Sequence, residues 1–177
     1  MDKGEGTTLP GGLLRVLGVG ALIIGDSGIG KSESSLELIA RGHKFISDDV
    51  VHVRKGKGGA LIGRAPVLSR NFMEIRGLGI INIREIFGPK SIRPSSRIDL
   101  IIRLKKWRHG QELDRLGLKL PEDEVILDEK IPQVFIPVAP GRNIATLIEV
   151  ACRVHLLRKK GYHAPVEIMK RLDRALS

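Results

Sequence analysis

The chain reads as an α/β fold organised on a strand–loop–helix unit, and three consecutive stretches carry that reading. Ala21-Leu22-Ile23-Ile24 is a short apolar run suited to a buried strand. Gly25-Asp26-Ser27-Gly28-Ile29-Gly30-Lys31-Ser32 follows at once and fits the spacing G-x-x-x-x-G-K-[ST]. Ser32 to Arg41 then sets Leu36, Ile39 and Ala40 at helical spacing, with Glu37 and Arg41 as an i,i+4 ion pair and Gly42 where a helix would stop. Strand, glycine-rich turn and helix in this order are the context the motif requires.

Its chemistry follows from geometry. Glycines let the backbone wrap closely round an anion and aim several N–H groups at it beside a helix N-terminus. Lys31 would neutralise the outer phosphates. Ser32 offers a hydroxyl oxygen to Mg²⁺, a hard ion that prefers oxygen ligands and usually arrives with a nucleotide. Gly25, Asp26, Ser27, Gly28, Ile29, Gly30, Lys31 and Ser32 are therefore the candidate polyphosphate contacts.

The remaining elements follow along the chain. Residues 1–12 are Gly-rich and polar and predict loose order, with the folded domain over 13–177. Leu13 to Gly25 is apolar and strand-like, broken at Gly18 and Gly20, and predicts a hairpin leading into the strand before the loop. After the helix, Lys44 to Val53 is β-branched and apolar except for Asp48-Asp49. Neighbours in a regular strand point to opposite faces, so these carboxylates turn together only at a strand end or bulge, and at least one should face the nucleotide. There a carboxylate can hold a metal through water or accept a proton from an attacking hydroxyl. Two close carboxylates also titrate as a coupled pair, with one proton affinity raised.

Lys55 to Gly59 predicts a turn, and Leu61 to Leu68 a strand ending near Pro66. Phe72 to Ile83, with Gly77 and Gly79 among apolar residues, predicts a bent strand or tight loop close to a ligand. Ile98, Leu100, Ile102 and Leu104 alternate, which predicts a strand with one buried face. Trp107 sits among Lys105, Lys106 and Arg108, a pattern read as a solvated strand end with one anchoring ring. Val125 to Val138 predicts one or two strands interrupted by Pro132. Asn143 is a natural N-cap for a helix over Ile144 to Lys160, and Gly161 a natural stop. Pro165 starts a second amphipathic helix that runs to Leu176 and is expected to turn Ile168, Met169 and Leu172 inward.

Composition narrows the function classes. At 177 residues and 42% hydrophobic content the chain supports one domain with a substantial core. No apolar run approaches the ~20 residues that cross a bilayer, and no apolar signal core opens the sequence, so a cytoplasmic location is expected. Cys152 is the only cysteine, which excludes an internal disulfide and suits plain packing. The net charge of +10 fits phosphorylated ligands, acidic proteins or nucleic acid. With aromatics at only 3% and no familiar nucleic-acid-reading motif, phosphate ligands and protein partners rank first. His43, His52, His109, His155 and His163 show no compact metal-ligand spacing, so no zinc site is read.

Taken in order, the Gly25–Ser32 loop, the Asp48-Asp49 pair, Glu74-Ile75-Arg76-Gly77-Leu78-Gly79-Ile80-Ile81, Asp114-Arg115-Leu116 and Pro137-Val138-Ala139-Pro140-Gly141-Arg142-Asn143 resemble the catalytic domain of HPr kinase/phosphorylase. The resemblance covers nearly everything from Thr7 to the last helices, and the glycine-rich stretch after Glu74 is far more selective than the loop. It implies a bacterial serine kinase that phosphorylates HPr, the small phosphocarrier of the sugar phosphotransferase system, using ATP or pyrophosphate, in control of carbon use. It also implies the reverse step, in which inorganic phosphate attacks phosphoseryl-HPr and pyrophosphate is released. The implied fold is a P-loop core similar to that of phosphoenolpyruvate carboxykinase, mainly β-sheet with flanking helices, and the implied assembly is a hexamer.

By the same resemblance Lys31 looks like the phosphate-binding lysine, Ser32 like a Mg²⁺ ligand and Glu74 like the second metal contact. Asp49, with Asp48 beside it, resembles the acid–base pair, and Arg115 the catalytic arginine. The segment 137–142 resembles the one tied to dephosphorylation. Family members generally carry a further domain ahead of this one. Where they usually read Thr-Thr-Leu-His-Gly, this chain has Thr7-Thr8-Leu9-Pro10-Gly11, and proline can neither carry a proton nor donate a hydrogen bond. A same-fold kinase with another acceptor and a nucleotide- or phosphate-sensing module without turnover are the alternatives.

Overall fold

The computed structural model describes residues 6–108, 114 and 116–176. The first strands are β1 (Gly6–Pro10), β2 (Gly12–Val16) and β3 (Val19–Ile24), followed by helix α1 (Lys31–Ala40). Next come β4 (Lys44–Ser47), β5 (Val50–Lys55), β6 (Leu61–Arg64), β7 (Phe72–Ile75) and β8 (Gly79–Asn82), then the short helix α2 (Ile83–Phe87). Strands β9 (Ser96–Arg97), β10 (Leu100–Lys106), β11 (Glu124–Ile126), β12 (Glu129–Ile131) and β13 (Gln133–Val138) lead to helices α3 (Ile144–Lys159) and α4 (Ala164–Leu176).

A five-stranded sheet in the order β13-β10-β3-β2-β4 forms the centre. In it β13, β10 and β3 are parallel, β2 runs antiparallel to β3, and β4 runs antiparallel to β2 at the other edge. Alternation of side chains divides its residues between two cores. Leu14, Ala21, Ile23, Leu100 and Ile102 pack with α1 and α3 on one face. Leu13, Leu22 and Ile101 point the other way and pack with Val51, Val53 and Leu61 of an antiparallel sheet ordered β1-β5-β6-β9. A sheet covered on both faces needs continuous apolar strands, which is why Ala21 to Ile24 shows no polar alternation. Each leucine or isoleucine fully buried in these layers contributes roughly 1.5–3 kcal/mol relative to exposure. Cys152 lies in the first core, where burial pushes its thiol up to about 12, in keeping with plain packing.

Several expectations are corrected. Residues 6–12 are not a loose leader: β1 pairs with β5 from Gly6↔Arg54 to Pro10↔Val50, and Gly12 opens β2. Pro10 is accommodated because β1 is an edge strand, where a missing N–H breaks no ladder. The strand expected from Ile98 begins at Leu100, since Ile98 belongs to the second core and Asp99 bonds Gly20 where the chain passes between sheets. β6 stops at Arg64, ahead of Pro66. The 125–138 region holds three strands, the first two joined through Leu127 and Asp128 at positive φ. α4 carries no buried residue: Ile168, Met169 and Leu172 are exposed, because no face of the described chain lies against its apolar stripe.

The helix-end readings hold. The Asn143 side chain accepts the Thr146 N–H at 2.8 Å and donates to Glu37, tying the start of α3 to α1. Gly161 takes φ 84° just past α3, where a side chain would be strained.

Candidate functional site

β3 ends at Ile24 and α1 begins at Lys31, so the loop between them sits where a central parallel strand delivers the chain to a helix N-terminus. Gly28 and Gly30 have φ of 78° and 100°, a left-handed geometry that favours glycine. Gly30 occupies the cap position without any side-chain hydrogen bond, which leaves the first-turn amides of α1 facing the cradle for an anion. Lys31 folds over the loop, its Nζ donating to the carbonyls of Gly25 at 2.7 Å and Asp26 at 3.0 Å.

The acid pair occupies the break between β4 and β5. Asp49 has φ 57°, a left-handed residue that ends the pleat, and the Val50 N–H returns to the Asp48 carbonyl at 2.6 Å. This strand-end turn sends the two carboxylates on different errands. Asp48 is half-buried and accepts from the Ser32 hydroxyl and from the Glu74 N–H. Burial and the neighbouring Asp49 push its carboxyl up to about 6, against the opposing pull of the Glu74 amide, Ser32 and Lys31. Asp49 is exposed and lines the cavity in front of the loop.

That cavity measures about 970 Å³ and brings Lys31, Ser32, Asp49, Glu74, Arg76 and Pro10 together. Glu74 and Arg76 arrive on and just after β7, whose hairpin with β8 turns through Gly77 and Gly79 at positive φ. Glu74 thus reaches the same cavity as Ser32. Pro10, at the end of β1, faces Asp49 across the Gly11 N–H bond to the Asp49 carbonyl at 2.7 Å. Arg115 lies outside the described residues. Next to it in sequence, the N–H groups of Lys119, Gly117 and Leu116 hold the Asp114 carboxyl below the usual carboxylate range.

Sequence reasoning missed Arg76 and undervalued Lys105, Lys106 and Arg108, all of which line the cavity. The Arg76 guanidinium lies over the loop, 3.1 Å from where a Cβ on Gly28 would stand. Only the pairing of β10 with β3, Arg103↔Ile24, brings the basic end of β10 beside the loop, and that pairing is not written in either segment alone. Arg103, also on the wall, is already engaged by Glu124 and Gln133.

Among the described residues no three His, Cys, Asp or Glu side chains gather into a free-standing metal centre. The Ser32 hydroxyl and Glu74 instead line one cavity beside the phosphate cradle as a hard-oxygen pair, with Asp48 behind Ser32 as its hydrogen-bond acceptor. The pair fits Mg²⁺, which keeps waters and takes phosphate oxygens to complete its shell.

A glycine-rich turn from a parallel strand into a helix that opens with Lys31-Ser32, with Ser32 hydrogen-bonded to the aspartate that follows β4, is the local geometry the G-x-x-x-x-G-K-[ST] spacing calls for, within a protein of mixed α/β class. The chain belongs to the HPr serine kinase C-terminal domain family, whose model matches residues 4–172. It is 52% identical over 168 residues to the HPr kinase/phosphorylase of Geobacter sulfurreducens, covering 94% of this chain and 52% of that protein. The HPr kinase/phosphorylase of Caldanaerobacter subterraneus subsp. tengcongensis is 47% identical over 167 residues, covering 93% of this chain and 54% of that protein. The chain thus spans about half the length of the curated relatives it matches. Among solved structures, the HPr(Ser) kinase/phosphatase from Coxiella burnetii aligns with a TM-score of 0.81 at 36% identity, covering 88% of this chain and 94% of that one.

Proposed function

We propose that this chain, with β1 included, is the catalytic domain of a Mg²⁺-dependent protein-serine kinase that phosphorylates HPr with ATP or pyrophosphate and reverses the reaction by phosphorolysis. The observation that carries this reading is the meeting of Ser32, Asp48 and Asp49 at the mouth of the Gly25–Ser32 loop in a chain of this family.

When bound, Mg²⁺ would spread the charge of the donor's outer phosphates, with Ser32 and Glu74 as its protein-side oxygens. The chain's own groups do the rest. Lys31 exchanges the Gly25 and Asp26 carbonyls for phosphate oxygens as the loop fills. Asp48 holds the Ser32 hydroxyl in place. Asp49, open to the cavity, accepts the proton of the acceptor serine. The serine oxygen then bonds to the terminal phosphorus as the bond from that phosphorus to its bridging oxygen breaks, releasing ADP or inorganic phosphate. In reverse, an oxygen of inorganic phosphate attacks the phosphoserine phosphorus, pyrophosphate forms, and Asp49 returns its proton to the serine oxygen. Arg115 is assigned the charge on the transferring phosphoryl group.

The proposed setting is a cytoplasmic hexamer acting in control of carbon use, with a core like that of phosphoenolpyruvate carboxykinase. The basic charge serves phosphorylated ligands and protein partners rather than nucleic acid. No membrane partner is proposed, and among the described residues no helix is long and apolar enough to cross a membrane. The test is incubation with Mg-ATP and purified HPr, read as phosphoserine by mass spectrometry. Absence of phosphoserine at saturating enzyme sinks the reading. Pro10 beside Asp49 favours a second one, a nucleotide- or phosphate-sensing module without turnover, which tight nucleotide binding without transfer to any acceptor would support.

A further inference from the structure

We propose that the phosphate cavity accepts inorganic tripolyphosphate as a phosphoryl donor, with the far end of that chain held by Arg103 and Lys105 on the wall opposite the acid pair. The proposal rests on reading the chain as a serine kinase with a polyphosphate cradle at Gly25–Ser32, and it adds a donor class selected by its number of phosphates.

The wall is built as a ladder of two rungs. Leu100, Ile102 and Leu104 of β10 belong to the first core, and Val134, Ile136 and Val138 of β13 pack with them. Side chains alternate along a strand, so Arg103 and Lys105 share the other face of the sheet with Gln133 and Phe135. There Arg103 Nε donates to Gln133 Oε1 at 2.7 Å, and its Nη2 stands 3.0 Å from Glu124. Lys105 Nζ lies 4.1 Å from the centre of the Phe135 ring. Gln133 is itself fixed, since its amide nitrogen donates to the Glu122 carbonyl at 2.7 Å.

This ladder extends the cradle. Arg103 pairs with Ile24, the last residue before the loop, and a Cβ on Gly25 would stand 3.0 Å from the carbonyl oxygen of Leu104, the residue between the two cations. The Gly25 carbonyl in turn holds Lys31 Nζ at 2.7 Å. Lys31, Arg103 and Lys105 therefore gather round the root of the loop, and all three line the same cavity.

Sheet order gives the wall its role. Asp48 and Asp49 follow β4, at the edge opposite β13. In-line transfer sets the leaving oxygen opposite the attacking one, so an acceptor serine at Asp49 directs the leaving group across the loop toward β10. The loop amides, Lys31 and the Ser32–Glu74 oxygens answer two phosphates, which leaves Arg103 and Lys105 for a third. Lys105 makes no ion pair among the described residues, and Glu124 takes one edge of the Arg103 guanidinium. Cations held in advance lower the ordering cost of binding. A free end phosphate also carries more charge than one esterified to a sugar, so an inorganic chain suits the pair without a nucleoside. The cavity of about 970 Å³ has room for it.

The step balances. The serine oxygen bonds to the terminal phosphorus of tripolyphosphate, the bond from that phosphorus to its bridging oxygen breaks, pyrophosphate leaves, and the serine proton passes to Asp49.

Initial rates of HPr phosphorylation test this, with Mg²⁺ present and tripolyphosphate, pyrophosphate or ATP as sole donor. Phosphoserine is read by mass spectrometry and released pyrophosphate by phosphorus NMR. Tripolyphosphate is expected to yield phosphoserine and one equivalent of pyrophosphate, with kcat/KM about tenfold above that of pyrophosphate as donor. The double variant Arg103→Gln/Lys105→Gln, checked for folding by circular dichroism, should lose that preference. Arg103→Lys/Lys105→Arg, which keeps both charges, should retain most of it. No phosphoserine from tripolyphosphate, or use no better than that of pyrophosphate, overturns the proposal and leaves the kinase reading standing as long as ATP or pyrophosphate serves. A tenfold preference that survives in the folded glutamine variant also overturns it, because the chain end would then be held elsewhere. No phosphoserine from any donor overturns the proposal together with the kinase reading.

Discussion

The Ser32 hydroxyl donates to Asp48, 3.2 Å from Oδ1 and 3.4 Å from Oδ2, and so ties the first turn of α1 to the turn between β4 and β5. The acceptor is a carboxyl held at about 6 rather than 3.8, chiefly by burial and then by Asp49. Between pH ~4 and ~6 the folded chain therefore keeps a proton that the unfolded chain has released. Stability should fall as pH rises through that window and be flat in this contribution above it, with a total effect of at most ~3 kcal/mol. Asp48→Asn keeps an acceptor for Ser32 and has no charge to desolvate. Urea unfolding at pH 5 and pH 7.5 is expected to show the variant gaining on the wild type at the higher pH. An equal difference at both values would refute the assignment.

Gly20 and Asp99 make a second junction, where the two sheets meet. The Gly20 N–H donates to Asp99 Oδ2 at 2.9 Å and the Asp99 N–H returns to the Gly20 carbonyl at 2.8 Å. A Cβ on Gly20 would overlap the Arg97 carbonyl, which is backbone and cannot turn aside. Gly20→Ala is expected to cost at least ~2 kcal/mol by overpacking. Thermal unfolding of the variant reads this out, and a melting temperature equal to that of the wild type would show that the sheets can part at no cost.

Legibility in the sequence followed the range of the interaction. The Gly25–Ser32 loop, α1, and the Asn143 and Gly161 helix ends were readable because each is decided by a few consecutive residues. The break at Asp48-Asp49 was readable as a need: two carboxylates inside a β-branched run required the pleat to end, and φ at Asp49 shows that it does. What stayed hidden depends on partners far along the chain. Gly6–Pro10 looks loose until β5 is there to pair with it, and Arg76 looks like a surface cation until the β7–β8 hairpin lays it over Gly28. Ile168, Met169 and Leu172 failed differently: their spacing correctly gives an amphipathic helix, but spacing does not say what its apolar side meets.

Asp49 and Asp48 differ in exposure, so their substitution should differ in kind. Asp49→Asn removes the carboxylate proposed to face the acceptor while leaving the loop and Lys31 intact. The expected result is a fall in kcat of about 10²- to 10⁴-fold with nucleotide affinity nearly unchanged. Phosphorylation of HPr under single-turnover conditions, beside calorimetric ATP binding, separates the two quantities. A loss confined to binding would move Asp49 from proton transfer to ligand support.

Pro10 pairs with Val50, the residue after Asp49, and lines the same cavity as Asp49. A second proton carrier at this point should help the reverse step, in which the serine oxygen must be protonated as it leaves. Pro10→His is expected to raise pyrophosphate release from phosphoseryl-HPr by up to about 10²-fold. β1 is an edge strand, so the fold should accept the change. Pyrophosphate production by wild type and variant at equal enzyme checks this. An unchanged rate in a folded variant would mean that the position lies too far from the reacting oxygen.

The apolar side of α4 is left uncovered among the described residues. Ile168 and Leu172 are one helical turn apart and nearly half exposed, with Met169 between them on the same side. Stripes of this kind are normally covered, and the hexamer proposed here supplies a cover in the form of further copies of the chain. Changing both residues to glutamate should therefore leave helix content and monomer stability close to wild type, because neither side chain is buried within the chain. The mass in solution should fall, as the introduced charges would have to be desolvated on assembly. Light scattering across a concentration series, with circular dichroism as the control, checks both statements. An assembled mass equal to wild type would place the subunit contacts elsewhere and leave α4 open for a different partner.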